Sequence, residues 1–362
     1  MWQSGFILDR KADALWFVAL PYLALAAAFG CHQWLPAVAM ASITLWITIP
    51  HHFATWVRAY GIAEDRNRWK NRLIAGPLII FGMALIGLKW APVSVLILAI
   101  LWDKQHSLMQ QHGFARIYDF KAGTGSPSTS RFDLALNWIL FGNLFLTTPF
   151  FTMIWLRELY RLHLPLSADA VRLIHQISWS STAVYSLIYI GHLCMTVRRG
   201  YRINPVKYVF LASSYFLWYF TAWQTSSALL YSIASQIMHG VQYIVISYWY
   251  TRQRTKRSGD HESFAAGLVR PGRLRIFLMA GLFYAVVYQV MVGKSLEKFG
   301  FGVLHLQQQY ATPILHLAIE PLNLDASFDL FSAAIVELAS LTHFYFDSFI
   351  WKVSDAKTRE GL

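Results

Sequence analysis

The sequence predicts an all-α protein, a polytopic bundle of about ten transmembrane helices, and three observations support that prediction. Hydrophobic residues fill 56% of the 362 positions and charged residues only 14%, against roughly 25% in an ordinary soluble domain. The apolar residues form runs of about 20, the length that crosses a bilayer as a helix. Basic residues collect between the runs. Because no long polar stretch interrupts the pattern, we expect a single transmembrane domain over residues 1–362.

Ten apolar segments are long enough to span a membrane. Each should be helical, because a spanning segment must satisfy its own backbone hydrogen bonds. Proline lies at or just before several of the expected helix starts, at Pro36, Pro92, Pro205 and Pro271. The ten predicted segments are 13–31, 35–56, 73–90, 92–115, 132–156, 170–197, 205–223, 225–251, 273–292 and 328–351.

The net charge of +12 is distributed in a way that indicates membrane orientation and not nucleic acid binding. Every even-numbered predicted segment is followed by a basic connection, and cytoplasmic loops are the ones that carry excess Lys and Arg. We therefore expect both termini in the cytoplasm and membrane lipid as the surrounding partner. The long connection 293–327 would lie outside and form an extracytoplasmic cap. The basic connections fall within 58–72, 116–131, 198–207, 252–275 and 352–359.

The thirteen histidines are the most informative residues for function, because seven of them fall on even-numbered predicted helices. Each lies roughly 4 to 13 residues before its basic flank, or about 6 to 20 Å along a helix. One band of the bundle should therefore contain imidazoles from five helices. The seven are His51, His52, His106, His112, His192, His239 and His343.

Polar residues at helical spacing accompany these histidines, so the polar stripes should face inward, where side chains avoid lipid. A carboxylate one turn from a histidine can bind a metal or orient the imidazole. We predict that Tyr243 and His192 line the site as catalytic residues. The predicted metal ligands are His51, His52, His106, His239, His343, Asp103, Asp347 and Glu337.

Several chemistries fit this histidine set. Imidazoles with a nearby carboxylate suit a non-haem iron (Fe²⁺) site with open positions, whereas a histidine pair from two helices suits haem, and other transition metals bind imidazole as well. A haem- or quinone-linked redox protein and a proton-coupled transporter are the alternatives to an iron oxygenase. The sequence contains no phosphate-binding loop, no dinucleotide fingerprint, no HExxH and no CxxC.

Four histidine-containing stretches act as motifs: TIPHHFATW at 48–56, KQHSLMQQHGFARIYD at 104–119, SQIMHGVQY at 235–243 and LASLTHFYFDSFIWK at 338–352. Together they resemble motifs of the Brp/Blh family, the membrane-bound β-carotene 15,15'-dioxygenases. In the third motif, Tyr243 stands where that family has a second histidine. The resemblance implies a multi-pass fold, histidine-bound iron and oxidative cleavage of a carotenoid-like substrate. The 16% aromatic content is compatible with a small hydrophobic substrate.

Overall fold

The computed structural model describes residues 2–259, 263–292 and 327–362, and these residues fold into helices joined by short turns. The described residues contain no β-strand, so the predicted all-α class is confirmed. The expected cap at 293–327 falls, apart from Ser327, outside the described residues.

Fourteen helices are described, and most extend the predicted segments by a few residues at one or both ends. Four short helices, α3, α7, α11 and α14, were not predicted as separate elements. The helices are α1 (Arg10–Trp34, with a π-helical turn at Ala14–Ala19), α2 (Ala37–Tyr60), α3 (Ala63–Arg68), α4 (Lys70–Trp90), α5 (Pro92–Ala122), α6 (Thr129–Thr147), α7 (Pro149–Arg161), α8 (Ala168–Arg198), α9 (Pro205–Gln224), α10 (Ala228–Ser258), α11 (Phe264–Val269), α12 (Leu274–Val292), α13 (Ser327–Ile350) and α14 (Ala356–Gly361).

Fewer of the described helices are long and apolar enough to cross a membrane than the ten that were predicted. Among the described residues, α1, α4 and α10 are long and apolar enough to cross a membrane, which indicates membrane association. A fourth span is possible if the bent pair α6–α7 counts as one. In α8 and α9, serine, tyrosine and tryptophan residues lower the mean hydropathy of the segment.

The predicted helix over 132–156 is interrupted in its second half. Thr148 has an extended backbone, Pro149 begins the next helix, and α6 and α7 meet at 72°. Proline disfavours helical geometry at the residue before it and has no N–H to continue the hydrogen-bond ladder, so the break follows from the sequence at this position. The prediction of one continuous helix here was wrong.

The described chain divides into two compact units where the sequence predicts one domain. The first unit comprises Met1–Trp34 and Ser107–Met238, and the second comprises Leu35–His106 and His239–Leu362. The chain passes from one unit to the other at three points: between α1 and α2, within α5 and within α10. In the first unit, α6 packs on α8 and α9 packs on α1.

An aromatic core holds the first unit together, with Phe17, Phe114 and Phe210 in edge-to-face contact. Beside it lies a buried ion-pair network in which Lys207 Nζ is 2.8 Å from Asp119 Oδ2 and 3.0 Å from Asp133 Oδ2. The network joins α5, α6 and α9. Its positive and negative charges balance, because Arg116 also pairs with both carboxylates.

The second unit contains α2, α4, α12 and α13, with α13 packed on α4 and α2, and α12 packed on α2. Small side chains at Ala84, Ala285, Ala333 and Ala334 are buried at these contacts, so the helices can approach closely. A second cluster, around Trp69 and two phenylalanines of α13, covers the end of the unit nearest to α3. This packing leaves the polar faces of α2 and α13 turned toward each other.

Candidate metal centre

Four helices of the second unit bring five histidines together. In three of them an imidazole is followed, one turn later, by a second polar side chain: His51 and Thr55 on α2, His239 and Tyr243 on α10, and His343 and Asp347 on α13. Residues four apart lie on one face of a helix, so each of these pairs points to the same side. Helix α5 contributes His106, and α2 also contributes His52.

The imidazole rings are in direct mutual contact. His51 Nε2 and His343 Nε2 are 3.1 Å apart. The ring centroids of His343 lie 4.6 Å from those of His51, 4.8 Å from His52 and 4.7 Å from His106. The His239 ring lies 5.0 Å from both His51 and His106. Five histidines from four helices therefore form one cluster around His343.

The cluster is shut off from the protein surface. His343 is fully buried, and the other four histidines are at most 4% exposed. Within the described part of the chain, His52 Nδ1 and His106 Nε2 have no hydrogen-bond partner. Buried polar atoms in native proteins are normally paired, and each unpaired one costs about 1–3 kcal/mol. These nitrogens are therefore unsatisfied unless a ligand reaches them.

The carboxylate of Asp347 borders the cluster on α13. Its Oδ2 lies 3.7 Å from His106 Nε2, and its Oδ1 accepts a 2.7 Å hydrogen bond from the Tyr243 hydroxyl. Thr55 lies between this phenol and the imidazole of α13, with its hydroxyl oxygen 2.6 Å from His343 Nδ1. One oxygen of Asp347 is thus engaged with tyrosine, and the other faces an imidazole.

A glycine allows α10 to come close to α2 at this point. A Cβ added at Gly240 would lie 3.4 Å from the Ile47 carbonyl oxygen and 3.5 Å from His51 Nδ1. Alanine fits at ordinary contact distance, but any larger side chain would meet the His51 imidazole. Gly240 therefore sets the spacing that brings His239 and His51 into contact.

The donor set could hold a metal ion. Imidazole nitrogens in neighbouring coordination positions, with metal–nitrogen bonds of roughly 2.0–2.1 Å, lie about 2.8–3.4 Å apart. The 3.1 Å between His51 Nε2 and His343 Nε2 falls in that range. The ligand atoms of His51, His239 and His343 lie within 4.8 Å of one another, and so do those of His106, His343 and Asp347. The residues present therefore fit a histidine-bound transition metal.

Three residues predicted for the site belong to neither group of ligand atoms: Asp103, Glu337 and His192. Asp103 pairs with Lys104 at 2.6 Å and belongs to neither ligand group, although it lies within electrostatic reach of His52. Glu337 is buried on α13 near Tyr288, six residues before His343, which is about 9 Å along the helix.

His192 belongs to the first unit, where its ring stacks on Phe132 at 3.9 Å and its Nε2 lies 3.2 Å from Thr129 Oγ1. These local contacts account for its burial, and it belongs to neither ligand group. Depth along a helix placed His192 with the other histidines, but depth does not determine which neighbours a helix face meets.

Sequence reasoning placed Thr55 on the inward polar stripe of its helix but did not include Thr55 or Trp351 among the site residues, and both contact the Tyr243 hydroxyl. The spacing of His343, Asp347 and Trp351, four residues each, was a signal that could have placed Trp351 on the same face. Thr55 is likewise one turn after His51.

Comparisons with known proteins add no relative to this picture. No model of a known protein family matches the chain, no curated protein matches it, and no solved structure matches it.

Proposed function

We propose that this chain is a membrane-embedded, metal-dependent oxidoreductase, most specifically a non-haem iron oxygenase that acts on a lipophilic, carotenoid-like substrate. The observation that carries the proposal is the buried contact of His51 Nε2 and His343 Nε2 at 3.1 Å, surrounded by three further imidazoles and a carboxylate. A cluster of this composition is costly to bury in an apolar bundle without a ligand.

Iron is the metal that this donor set favours. Several imidazoles with one carboxylate, and no cysteine in either group of ligand atoms, suit iron better than copper(I). Bound ferrous iron would supply the activation of dioxygen at open coordination positions. The chain itself contributes His51, His239 and His343 as ligands, with His106 and Asp347 beside them. Their burial excludes bulk water from the reacting centre.

The distance between the two nitrogens argues against ligation of a haem iron from opposite faces by this pair. Opposed ligands with bonds of roughly 2 Å would have nitrogens about 4 Å apart, with the porphyrin plane between them. His51 and His343 approach to 3.1 Å, and His52 packs against His343 as well. The cluster therefore supports neighbouring ligands on one ion.

Support for a lipophilic substrate comes from the four motifs that resemble the Brp/Blh family and from the environment of the unit. Helix α4 exposes Leu78, Ile79, Met83 and Ile86, each at least 59% accessible. Apolar side chains exposed in this way along a helix face suit contact with lipid acyl chains. A hydrophobic substrate dissolved in that lipid would reach the protein without passing through water.

The proposal includes a multi-pass topology in which further long helices cross the membrane and both termini are cytoplasmic. Helix α8 supports this, because Leu173, Leu187 and Ile190 on its outer surface are more than half exposed. The alternation of basic connections supports the sidedness. Reporter fusions in the 253–272 connection and at the C-terminus should both report the cytoplasmic side, and an external signal from either contradicts the topology.

Metal analysis of the purified protein tests the proposed chemistry. We expect iron in wild type after expression with iron, and its loss in His239→Ala, because that variant removes a ligand while the helix keeps its other contacts. His32→Ala is the matched control, since His32 is exposed on α1. A haem Soret band, or a folded wild type that takes up no metal, would contradict the proposal, and the latter would favour the transporter alternative.

A further inference from the structure

A chain of hydroxyl groups leads from one candidate ligand to the carboxylate. Thr55 Oγ1 lies 2.6 Å from His343 Nδ1, the Thr55 hydroxyl donates to the Tyr243 oxygen at 2.8 Å, and the Tyr243 hydroxyl donates to Asp347 Oδ1 at 2.7 Å. The two oxygen–oxygen distances are typical of hydrogen bonds, and the oxygen–nitrogen contact is short. His343, Thr55 and Tyr243 are at most 1% exposed, so water does not compete for these groups.

The direction of this chain follows from donor and acceptor capacity. Thr55 and Tyr243 each have one hydroxyl hydrogen. The tyrosine hydrogen goes to Asp347 Oδ1, and the threonine hydrogen goes to the Tyr243 oxygen. Thr55 Oγ1 then has no hydrogen left for His343 Nδ1, so it accepts from Nδ1–H, and this tautomer leaves Nε2 free for a metal. The alternative acceptor of the threonine hydrogen, the His51 carbonyl oxygen, is farther away at 3.4 Å.

We infer that Thr55 and Tyr243 are positioning residues that hold His343 in the Nδ1–H tautomer and so present Nε2 to a metal ion. The inference rests on the proposed function and adds a role for two residues that do not ligate the metal. Partners that orient a ligating histidine in this way typically contribute 10–100-fold in metal affinity or activity.

The test compares variants that remove single hydrogen bonds at unchanged shape. Thr55→Val replaces the hydroxyl with a methyl group of similar volume, and Thr55→Ser restores the hydroxyl. Titration of metal-free protein in detergent with Co²⁺, read from its visible absorption and by competition with a chelator, yields a Kd for each. We expect Thr55→Val to raise the Kd about 10–100-fold, and Thr55→Ser to remain near wild type.

Two tyrosine variants extend the test. Tyr243→Phe breaks the chain between Thr55 and Asp347, so its Kd should also rise. Tyr284→Phe is the matched control, because it removes a hydroxyl of the same unit that accepts from Trp56 Nε1 at 3.0 Å and takes no part in the chain. Its Kd should equal that of wild type. An equal rise in Kd for both variants would indicate a general loss of packing.

The outcomes separate this inference from the proposed function. Wild type that binds no Co²⁺ or Fe²⁺ while folded overturns both. If wild type binds metal and Thr55→Val has an unchanged Kd, only the positioning role of Thr55 and Tyr243 is overturned. Thr55→Ser as weak as Thr55→Val, or Tyr284→Phe as weak as Tyr243→Phe, assigns the effect to packing and also overturns the positioning role of Thr55 and Tyr243.

Discussion

Removal of the lysine from the buried network of the first unit should destabilise the protein strongly. Lys207 is 1% exposed and makes short contacts to both Asp119 and Asp133. In Lys207→Met the apolar stem is largely kept, but two buried carboxylates share one remaining cation. Breaking a buried pair by deleting one partner costs about 3–5 kcal/mol, because the other charge stays uncompensated. We expect a loss of that size in the free energy of unfolding.

A double variant shows whether charge causes the loss. Lys207→Met combined with Asp119→Asn restores a balanced pair of Arg116 and Asp133, so it should recover at least half of the lost stability. Unfolding of the purified protein in mixed micelles, as a function of the mole fraction of a denaturing detergent, measures the stability of wild type and of both variants. A loss below about 1 kcal/mol in Lys207→Met, or a double variant less stable than the single one, would refute the reasoning.

Three further outcomes follow from the second unit. Gly240→Ala should keep metal binding, whereas Gly240→Leu should displace His51 and weaken binding in the same Co²⁺ titration. The hydrogen bond from Lys357 lowers the pKa of Glu64 in the folded protein. The stabilisation from this pair is therefore complete above the unfolded pKa of glutamate, about 4.3, and it is lost as the pH falls through the lower folded pKa. Since the Glu64 side chain is 41% exposed, Glu64→Gln should lower the free energy of unfolding by less than about 1 kcal/mol at pH 7. The difference in stability between wild type and this variant should become smaller at acid pH. Chelation should lower the melting temperature of wild type but not of His343→Ala, because only wild type gains stability from bound metal.

The sequence predicted the helical class and the grouping of five histidines because both depend on local patterns. Side-chain hydropathy defines the helices, and the spacing of polar residues four apart defines which face of α2, α10 and α13 points inward. His192 shows the limit of this reasoning. Its depth matches the other histidines, but its neighbours are Phe132 and Thr129, and those contacts depend on tertiary packing.

The number of spans was harder to predict for a physical reason. A helix that carries catalytic or structural polar groups inside a bundle loses mean hydropathy, even if its outer face is apolar, as α8 does with Leu187 at 70% exposure. Composition averages the two faces together, so helices with one polar face fall below a strict limit. The outer face and the inner face must be examined separately to decide which helices contact lipid.

Two buried polar clusters among the described residues differ in how their polar atoms are paired. In the first unit, Asp119 and Asp133 are balanced by Lys207 and Arg116, so deletion of one member leaves an opposite charge buried without compensation. Around His343, imidazole rings meet at short range, and His106 Nε2 finds no hydrogen-bond partner within the described residues. A metal ion would satisfy several imidazole nitrogens at once, and this supports the metal site that we propose.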